Sequence, residues 1–286
     1  MHQIVFFGSS TYSLIVLQKL LNLSDFSLSA VVTKIDKPFG RDLTIASNPV
    51  AKFAKDHNLN LLQIEDFDEN CKLKIKNFPA DLGLCVAFGP PFFDAAMINL
   101  FPHKIVNIHP SPLPKYRGAT PGPWQIINGE TTSAVTFFQI DLLPDHGPII
   151  TKIPFDISPI DTADSFYQKA FTLAADNLGS ILNSYIINHK SLLPQDHSKK
   201  SYFPKLSKDS AKIDWGWDTA KIERFVRALI PWPVAWTEVK NSSSQTFKMK
   251  IFSFNPELAE GPVEVQIEGK NKTSWPEISK YYQIVR

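Results

Sequence analysis

With 286 residues, 43% of them apolar and 20% charged, the chain has material for one large or two ordinary globular domains and is unlike a disordered segment. A formal charge of +2 is too small to indicate nucleic-acid binding by itself, so any such contact must come from local clustering. The two cysteines, Cys71 and Cys85, lie far apart with no second Cys or His at zinc-ligand spacing, which predicts a reduced cytoplasmic setting and no metal. No apolar run reaches membrane-spanning length, and the opening MHQIVFFGSS lacks the basic and apolar regions of a signal peptide, so no membrane contact is expected.

In chain order, Gln3–Phe7 predicts a buried strand and Gly8-Ser9-Ser10 the turn after it. Thr11 or Ser13 then caps a helix to about Leu23, with Leu14, Leu17, Leu20 and Leu21 on one face. The pattern G-S-S-T-Y is not G-x-G-x-x-G; a dinucleotide fingerprint is absent, and the turn reads as a tight connection near an active site. Ser27–Thr33 is a second strand. The next segment, Lys34–Asn48, has no periodicity and is longer than an ordinary strand-to-helix connection. Its Lys34, Lys37 and Arg41 are suited to phosphate contacts; alternatively it is a solvated loop whose charge Asp36 and Asp42 partly cancel. Pro49 opens a helix capped by Asn48, Leu61–Gln63 is a short strand, and Lys72–Lys76 falls in a weak helix. Asp81–Phe88 is a strong buried strand broken by Gly89-Pro90-Pro91, and Phe92–Leu100 a short helix.

Ile105–Ile108 is another buried strand, and its exit is the most informative stretch of the chain, VNIHPSPLPKYRG. Asn107 and His109 are spaced i, i+2, so on an extended backbone both side chains leave the same face. Pro110 ends the strand, and Pro112 and Pro114 stiffen the loop that follows. Short buried strands alternating with helices predict an α/β fold with a doubly wound, mostly parallel, Rossmann-like sheet, and ligands bind such sheets at the C-terminal mouth of the strands. The competing account of His109 is a buried, hydrogen-bonded histidine at a strand end.

Farther on, Thr120-Pro121 starts a helix ending at Gly129, Ala134–Ile140 is a strand, and the turn Asp141–Gly147 brings Asp141, Asp145 and His146 together before the strand Ile149–Pro154. Asp161-Thr162 cap the longest helical pattern, whose stripe runs from Phe166 through Ala170, Ala174, Leu178 and Leu182 to Tyr185. Around His189–Ser210 the composition shifts to lysines and prolines without periodicity, the best linker candidate. An amphipathic helix over Asp218–Ile230 and several short strands then predict a smaller, β-rich lobe. The expected organisation is a first domain over 1–190, a linker over 191–208 and a shortened second domain over 209–286.

Asn107, His109 and Asp145 are candidates for one site. An amide can hold an oxygen as charge develops on it, an imidazole can donate to that oxygen or move a proton, and a carboxylate would orient the ring and favour its charged form. Ser111 lacks a nucleophile elbow, and Cys85 lies within a buried strand, so covalent catalysis is disfavoured. Direct attack of one substrate on a carbonyl carbon of another, with the protein stabilising the oxyanion, is the chemistry expected.

At these residues the sequence resembles the formyltransferases that use 10-formyltetrahydrofolate. The resemblance rests on N-I-H-P-S-P-L-P at 107–114, K-Y-R-G-A-T-P at 115–121 and D-H-G-P-I-I at 145–150. It implies that Asn107, His109 and Asp145 are catalytic, and that Ser111, Pro112, Leu113 and Pro114, with the backbone at Phe88, Gly89 and Pro90, hold the folate. Within that group the chain looks most like the enzymes acting on initiator methionyl-tRNA. The segment from Thr33 to Arg41 resembles their basic loop, which implies tRNA contacts by Lys34, Lys37 and Arg41. Lys212-Ile213-Asp214-Trp215, Arg227-Ala228 and Pro231-Trp232-Pro233 resemble the start of their OB-like C-terminal domain. The resemblance implies initiator methionyl-tRNA and folate as partners, with no metal and no obligate protein partner. Sugar-nucleotide N-formyltransferases share the same implied trio and are the alternative. The chain departs from the pattern at Pro112, where leucine is usual, at Phe88, where tyrosine is common, and at Asp42 after Arg41.

Overall fold

The structure, a computed structural model, describes residues 1–39, 44–187, 192–258 and 261–286. The central strand β1 (His2–Gly8) holds Ile4, Val5, Phe6 and Phe7, all fully buried, as a strand covered on both faces requires. It is followed by α1 (Thr11–Leu21), β2 (Phe26–Lys34), β3 (Lys37–Phe39), β4 (Thr44–Ala46), α2 (Pro49–Asp56), β5 (Leu61–Ile64), α3 (Glu69–Lys76), β6 (Leu82–Val86), α4 (Ala95–Ile98) and β7 (Ile105–His109). Then come α5 (Pro121–Ile127), β8 (Thr132–Gln139), β9 (Ile149–Asp156) and α6 (Ala163–Ile187). The main sheet has seven strands in the order β5-β2-β1-β6-β7-β8-β9. β1 pairs in parallel with β2 and β6, β2 with β5 and β6 with β7, whereas β7 pairs antiparallel with β8. The chain winds outward from β1 through β2 to β5, then crosses back to β6 on the other side of β1. That reversal opens a crevice at the carboxyl ends of β1, β6 and β7.

Two local expectations are corrected. The cap of α1 is Ser10, not Thr11 or Ser13: Ser10 accepts from the Ser13 N–H, and Ser13 closes a reciprocal capping box. Ser13, fully buried, also donates its hydroxyl to the Val86 carbonyl at 2.7 Å, tying the start of α1 to the end of β6. The aperiodic segment Lys34–Asn48 is not all loop: it contains the antiparallel pair β3–β4, each strand three residues long. Strands that short show no alternation for a periodicity argument to detect.

The chain forms two compact units. The first comprises Met1–Gly118, Ala134–Phe155 and Gln168–Tyr202, and the second Ala119–Ser133, Asp156–Tyr167 and Phe203–Arg286. In the second, α7 (Thr219–Ala228) is capped by Asp218 and buries Ile222, Phe225 and Val226, as its 3–4 spacing predicts. There follow β10 (Trp236–Asn241), β11 (Thr246–Ile251), β12 (Glu264–Ile267), β13 (Lys272–Ser274), α8 (Trp275–Ile278) and β14 (Tyr282–Ile284). Their strands form an antiparallel five-stranded half-barrel in the order β13-β12-β11-β10-β14, with Val239, Met249, Ile251, Val265 and Ile267 inside. Among the described residues no helix is long and apolar enough to cross a membrane.

Candidate active site

β7 delivers Asn107 and His109 to the mouth of the crevice. Asn107 lies opposite Cys85 of β6 and Phe138 of β8, at the middle of the strand and half-buried. Among the described residues its amide has no side-chain partner, so its N–H donors are uncommitted. His109, 5% exposed, is held among the described residues at one nitrogen. Its Nε2 lies 2.9 Å from the carbonyl oxygen of Tyr116, which can only accept, so Nε2 carries a proton. Nδ1 then faces Asp145, at 3.6 Å from Oδ1, longer than a hydrogen bond and open to a third group. The other Asp145 oxygen, Oδ2, accepts from the Gly118 N–H at 2.9 Å.

Around this pair the backbone is left-handed at non-glycine positions: Ala87 after β6 (φ +45°), Tyr116 (φ +58°) and Asp145 (φ +50°). Such residues persist where the surroundings over-determine them, and here all three sit in the loops that build the mouth. Gly147 closes the Asp145 turn. A Cβ added there would lie 1.9 Å from the Gln139 carbonyl oxygen, so β8 and the turn pack together only with glycine. Gly147→Ala is expected to lower stability by about 1–3 kcal/mol, the usual cost of overpacking, and thermal unfolding checks it; an unchanged Tm would show that the turn can relax.

The loop expected to hold folate divides into a core half and a free half. Ser111 is fully buried, its hydroxyl donating to the Lys115 carbonyl at 2.8 Å and its own carbonyl accepting from Thr136 at 2.6 Å. Leu113 is fully buried against Phe138 and Ile149. Pro112 and Pro114 are partly exposed. Across the mouth, the Phe88 ring is buried among Phe7, Phe67 and Phe93, its centroid 5.9 Å from that of Phe7, whereas Gly89 and Pro90 are exposed. Phe88, its ring packed in this way, therefore offers a ligand its backbone rather than its ring.

Of the three residues expected at tRNA, Lys34 is on β2 with its ammonium 3.8 Å from the centre of the Phe88 ring and donating to the Pro90 carbonyl, on the same turn. Lys37 starts β3, and Arg41 lies outside the described residues. Burial, and secondarily the charge of Asp145, push the Cys85 thiol up to about 12, so no thiolate is available at neutral pH. Among the described residues no group of three or more His, Cys, Asp or Glu could hold a metal ion.

Several residues of the site carry no individual signal in the sequence. Arg117, 1% exposed, donates to Gln195 Oε1 at 2.6 Å, to His197 Nδ1 at 2.9 Å and to the Tyr202 hydroxyl at 3.3 Å. Desolvation, then the neighbouring His146 and Arg117, hold His197 below the usual histidine range, consistent with a neutral ring accepting from the guanidinium. Gln195, His197 and Tyr202 come from the aperiodic stretch expected to be a linker, where composition gives no reason to place them against the Asp145 turn.

Residues 2–182 match the formyl transferase family and residues 205–274 its C-terminal domain. The chain is 33% identical over 264 residues to the methionyl-tRNA formyltransferase of Alkaliphilus oremlandii, covering 92% of this chain and 84% of that one. It is 35% identical over 236 residues to the methionyl-tRNA formyltransferase of Chloroflexus aggregans, covering 82% and 76%. Among solved structures, the methionyl-tRNA formyltransferase of Clostridium thermocellum matches with a TM-score of 0.62 at 16% identity, covering 93% of this chain and 99% of that one. A sugar 3N-formyltransferase solved in the presence of dTDP and 5-N-formyl-tetrahydrofolate matches with a TM-score of 0.59 at 20% identity, covering 95% and 99%. At those identities the structures speak to the fold, while the sequence relatives speak to descent. The chain belongs to the methionyl-tRNA formyltransferase family.

Proposed function

We propose that this chain moves the formyl group of 10-formyltetrahydrofolate to the α-amine of methionine carried by initiator tRNA, by direct attack and through a tetrahedral oxyanion. One observation carries the mechanism: the uncommitted Asn107 amide lies two residues from a histidine locked at Nε2 and facing a carboxylate at Nδ1. The folate supplies an electrophilic formyl carbon when bound. The exposed Gly89–Pro90 turn and the partly exposed Pro112 and Pro114 flank the mouth from β6 and β7, which suits a flat heterocycle laid against backbone, with Ser111 and Leu113 keeping the loop in shape. Asn107 donates to the formyl oxygen as it becomes anionic, and His109 donates to it from Nδ1. Asp145 orients that nitrogen and balances the charge of the ring, and through water it takes the proton the amine loses on forming the new N–C bond. Cleavage of the old C–N bond returns a proton to the folate nitrogen, so atoms and charge balance.

Lys34, Lys37 and Arg41 are the residues we assign to the acceptor end of the tRNA; the Lys34 ammonium lies against the Phe88–Pro90 turn. Lys248, its ammonium 3.7 Å from the centre of the Trp236 ring, gives the half-barrel a cation on an aromatic face suited to a polyanion, whereas Lys212, also over that ring, is paired with Glu238 at 2.9 Å. Lys37→Ala is expected to weaken tRNA binding and to reduce the slope of log affinity against log salt by about one; a salt titration with an unchanged slope would remove Lys37 from the contact. The function itself is tested by presenting 10-formyltetrahydrofolate with either methionyl initiator tRNA or an amino-sugar nucleotide. Formyl-methionine released from the tRNA is the expected product; formylation of the sugar alone would replace this proposal.

A further inference from the structure

Gln195 lies in a stretch without helical or strand periodicity, yet it is 6% exposed and commits its whole amide to the site. Its Nε2 donates to the carbonyls of Asp145, at 3.0 Å, and Gly147, at 2.7 Å. Both hydrogens of one amide thus close the turn whose left-handed residue is Asp145 itself, the conformation that aims the carboxylate at His109. Its Oε1 accepts from Arg117 Nη2 at 2.6 Å.

Arg117 extends the connection to the other half of the pair. It follows Tyr116, whose carbonyl fixes His109 Nε2, and its own N–H donates to the Ser201 carbonyl at 2.9 Å while the Tyr116 N–H donates to the Ser201 hydroxyl at 2.9 Å. Its guanidinium also reaches Tyr202, whose hydroxyl donates at 3.3 Å to the carbonyl of Pro144, the residue before Asp145. Arg117 is 1% exposed, and among the described residues its Nε has no hydrogen-bond partner. A guanidinium buried with a donor unmet is a poor way to gain stability, so its placement calls for another explanation. One run of hydrogen bonds joins the carbonyl that fixes His109 to the turn that aims Asp145, and Gln195 is its midpoint.

We propose that Gln195, held by Arg117, is a positioning residue that acts on the reaction through Asp145; the proposal rests on the catalytic role given to Asp145 above. The test is a cycle of full-length variants: Gln195→Met, which keeps the volume and removes both polar groups, Asp145→Asn, and the two together. Gln195→Met is expected to lower kcat on the order of 10- to 10²-fold, the scale of a misplaced reacting group, with KM for both substrates little changed. Because the effect passes through Asp145, the double variant is expected to turn over as slowly as Asp145→Asn alone. Losses that multiply, or a native kcat in Gln195→Met, would overturn the proposal. Native turnover in Asp145→Asn would instead overturn the role of Asp145, and this proposal with it. Should Gln195→Met not fold, Gln195→Glu keeps an oxygen for Arg117 and loses both N–H donors, and it must show the same non-additive loss for the proposal to stand.

Discussion

Asp145→Asn is expected to lower kcat by about 10²–10⁴-fold, the range of a lost acid–base partner, while the protein stays folded. The substitution is clean for two reasons. Asparagine is among the few residues that accept a left-handed backbone, so the φ of +50° is kept without new strain. Its side-chain oxygen also still accepts the Gly118 N–H that now lies 2.9 Å from Oδ2. What is lost is the negative charge 3.6 Å from His109 Nδ1 and the capacity to take a proton. Asp145→Ala would confound that loss with backbone strain. If the carboxylate served only to hold the turn, asparagine would serve nearly as well, and a kcat close to native with an unchanged Tm would show that.

Asn107→Ala is expected to cost about 10²–10³-fold in kcat, as removal of one oxyanion donor does elsewhere. The structure makes this substitution discriminating. A polar residue in a buried strand ordinarily makes an internal hydrogen bond, and its removal then costs stability. The Asn107 side chain has no such partner among the described residues, so nothing internal is broken by its loss. Activity should therefore fall and the unfolding midpoint stay within a degree or two, roughly the effect of a few tenths of a kcal/mol. Steady-state kinetics alongside thermal unfolding check both halves, and a destabilised variant with native kcat would make Asn107 a core residue.

Much of this site is legible because it lies on a strand. Ile105–Ile108 and the i, i+2 spacing of Asn107 and His109 fix which face they share, and the prolines after them mark where the strand must stop. The long stripe from Phe166 to Tyr185 reads equally well: Phe166, Ala170, Ala174, Leu178 and Leu182 are all fully buried in α6, which runs for 25 residues. The cap of α1 is harder to place because Ser10 and Ser13 are both capping types and only the reciprocal geometry assigns their parts. The antiparallel pairing of β3 with β4 is invisible in the sequence because backbone pairing of three-residue strands leaves no pattern in side chains.

Gln195 and Arg117 are illegible for a different reason. Their contacts join positions 78 residues apart, and no local rule relates a glutamine in a polar stretch to a turn 50 residues earlier. Lys34 shows the reverse: its charge is apparent, but only the fold brings the ends of β2 and β6 to one edge of the sheet, on either side of β1, and sets that charge over the Phe88 ring. Sequence patterns report periodic burial and local caps; they do not report which polar side chain bridges two loops.

If transfer at the mouth of the sheet is direct, no group of the protein carries the formyl. Rapid acid quench of a single turnover, with label in the formyl group of 10-formyltetrahydrofolate and methionyl-tRNA in excess, tests it most directly. Label is expected to leave the folate and appear on the methionyl amine with one rate constant, none of it on protein, and the rate is expected to fall together in Asn107→Ala and Asp145→Asn. Label bound to the protein ahead of product, or a native single-turnover rate in both variants, would contradict it.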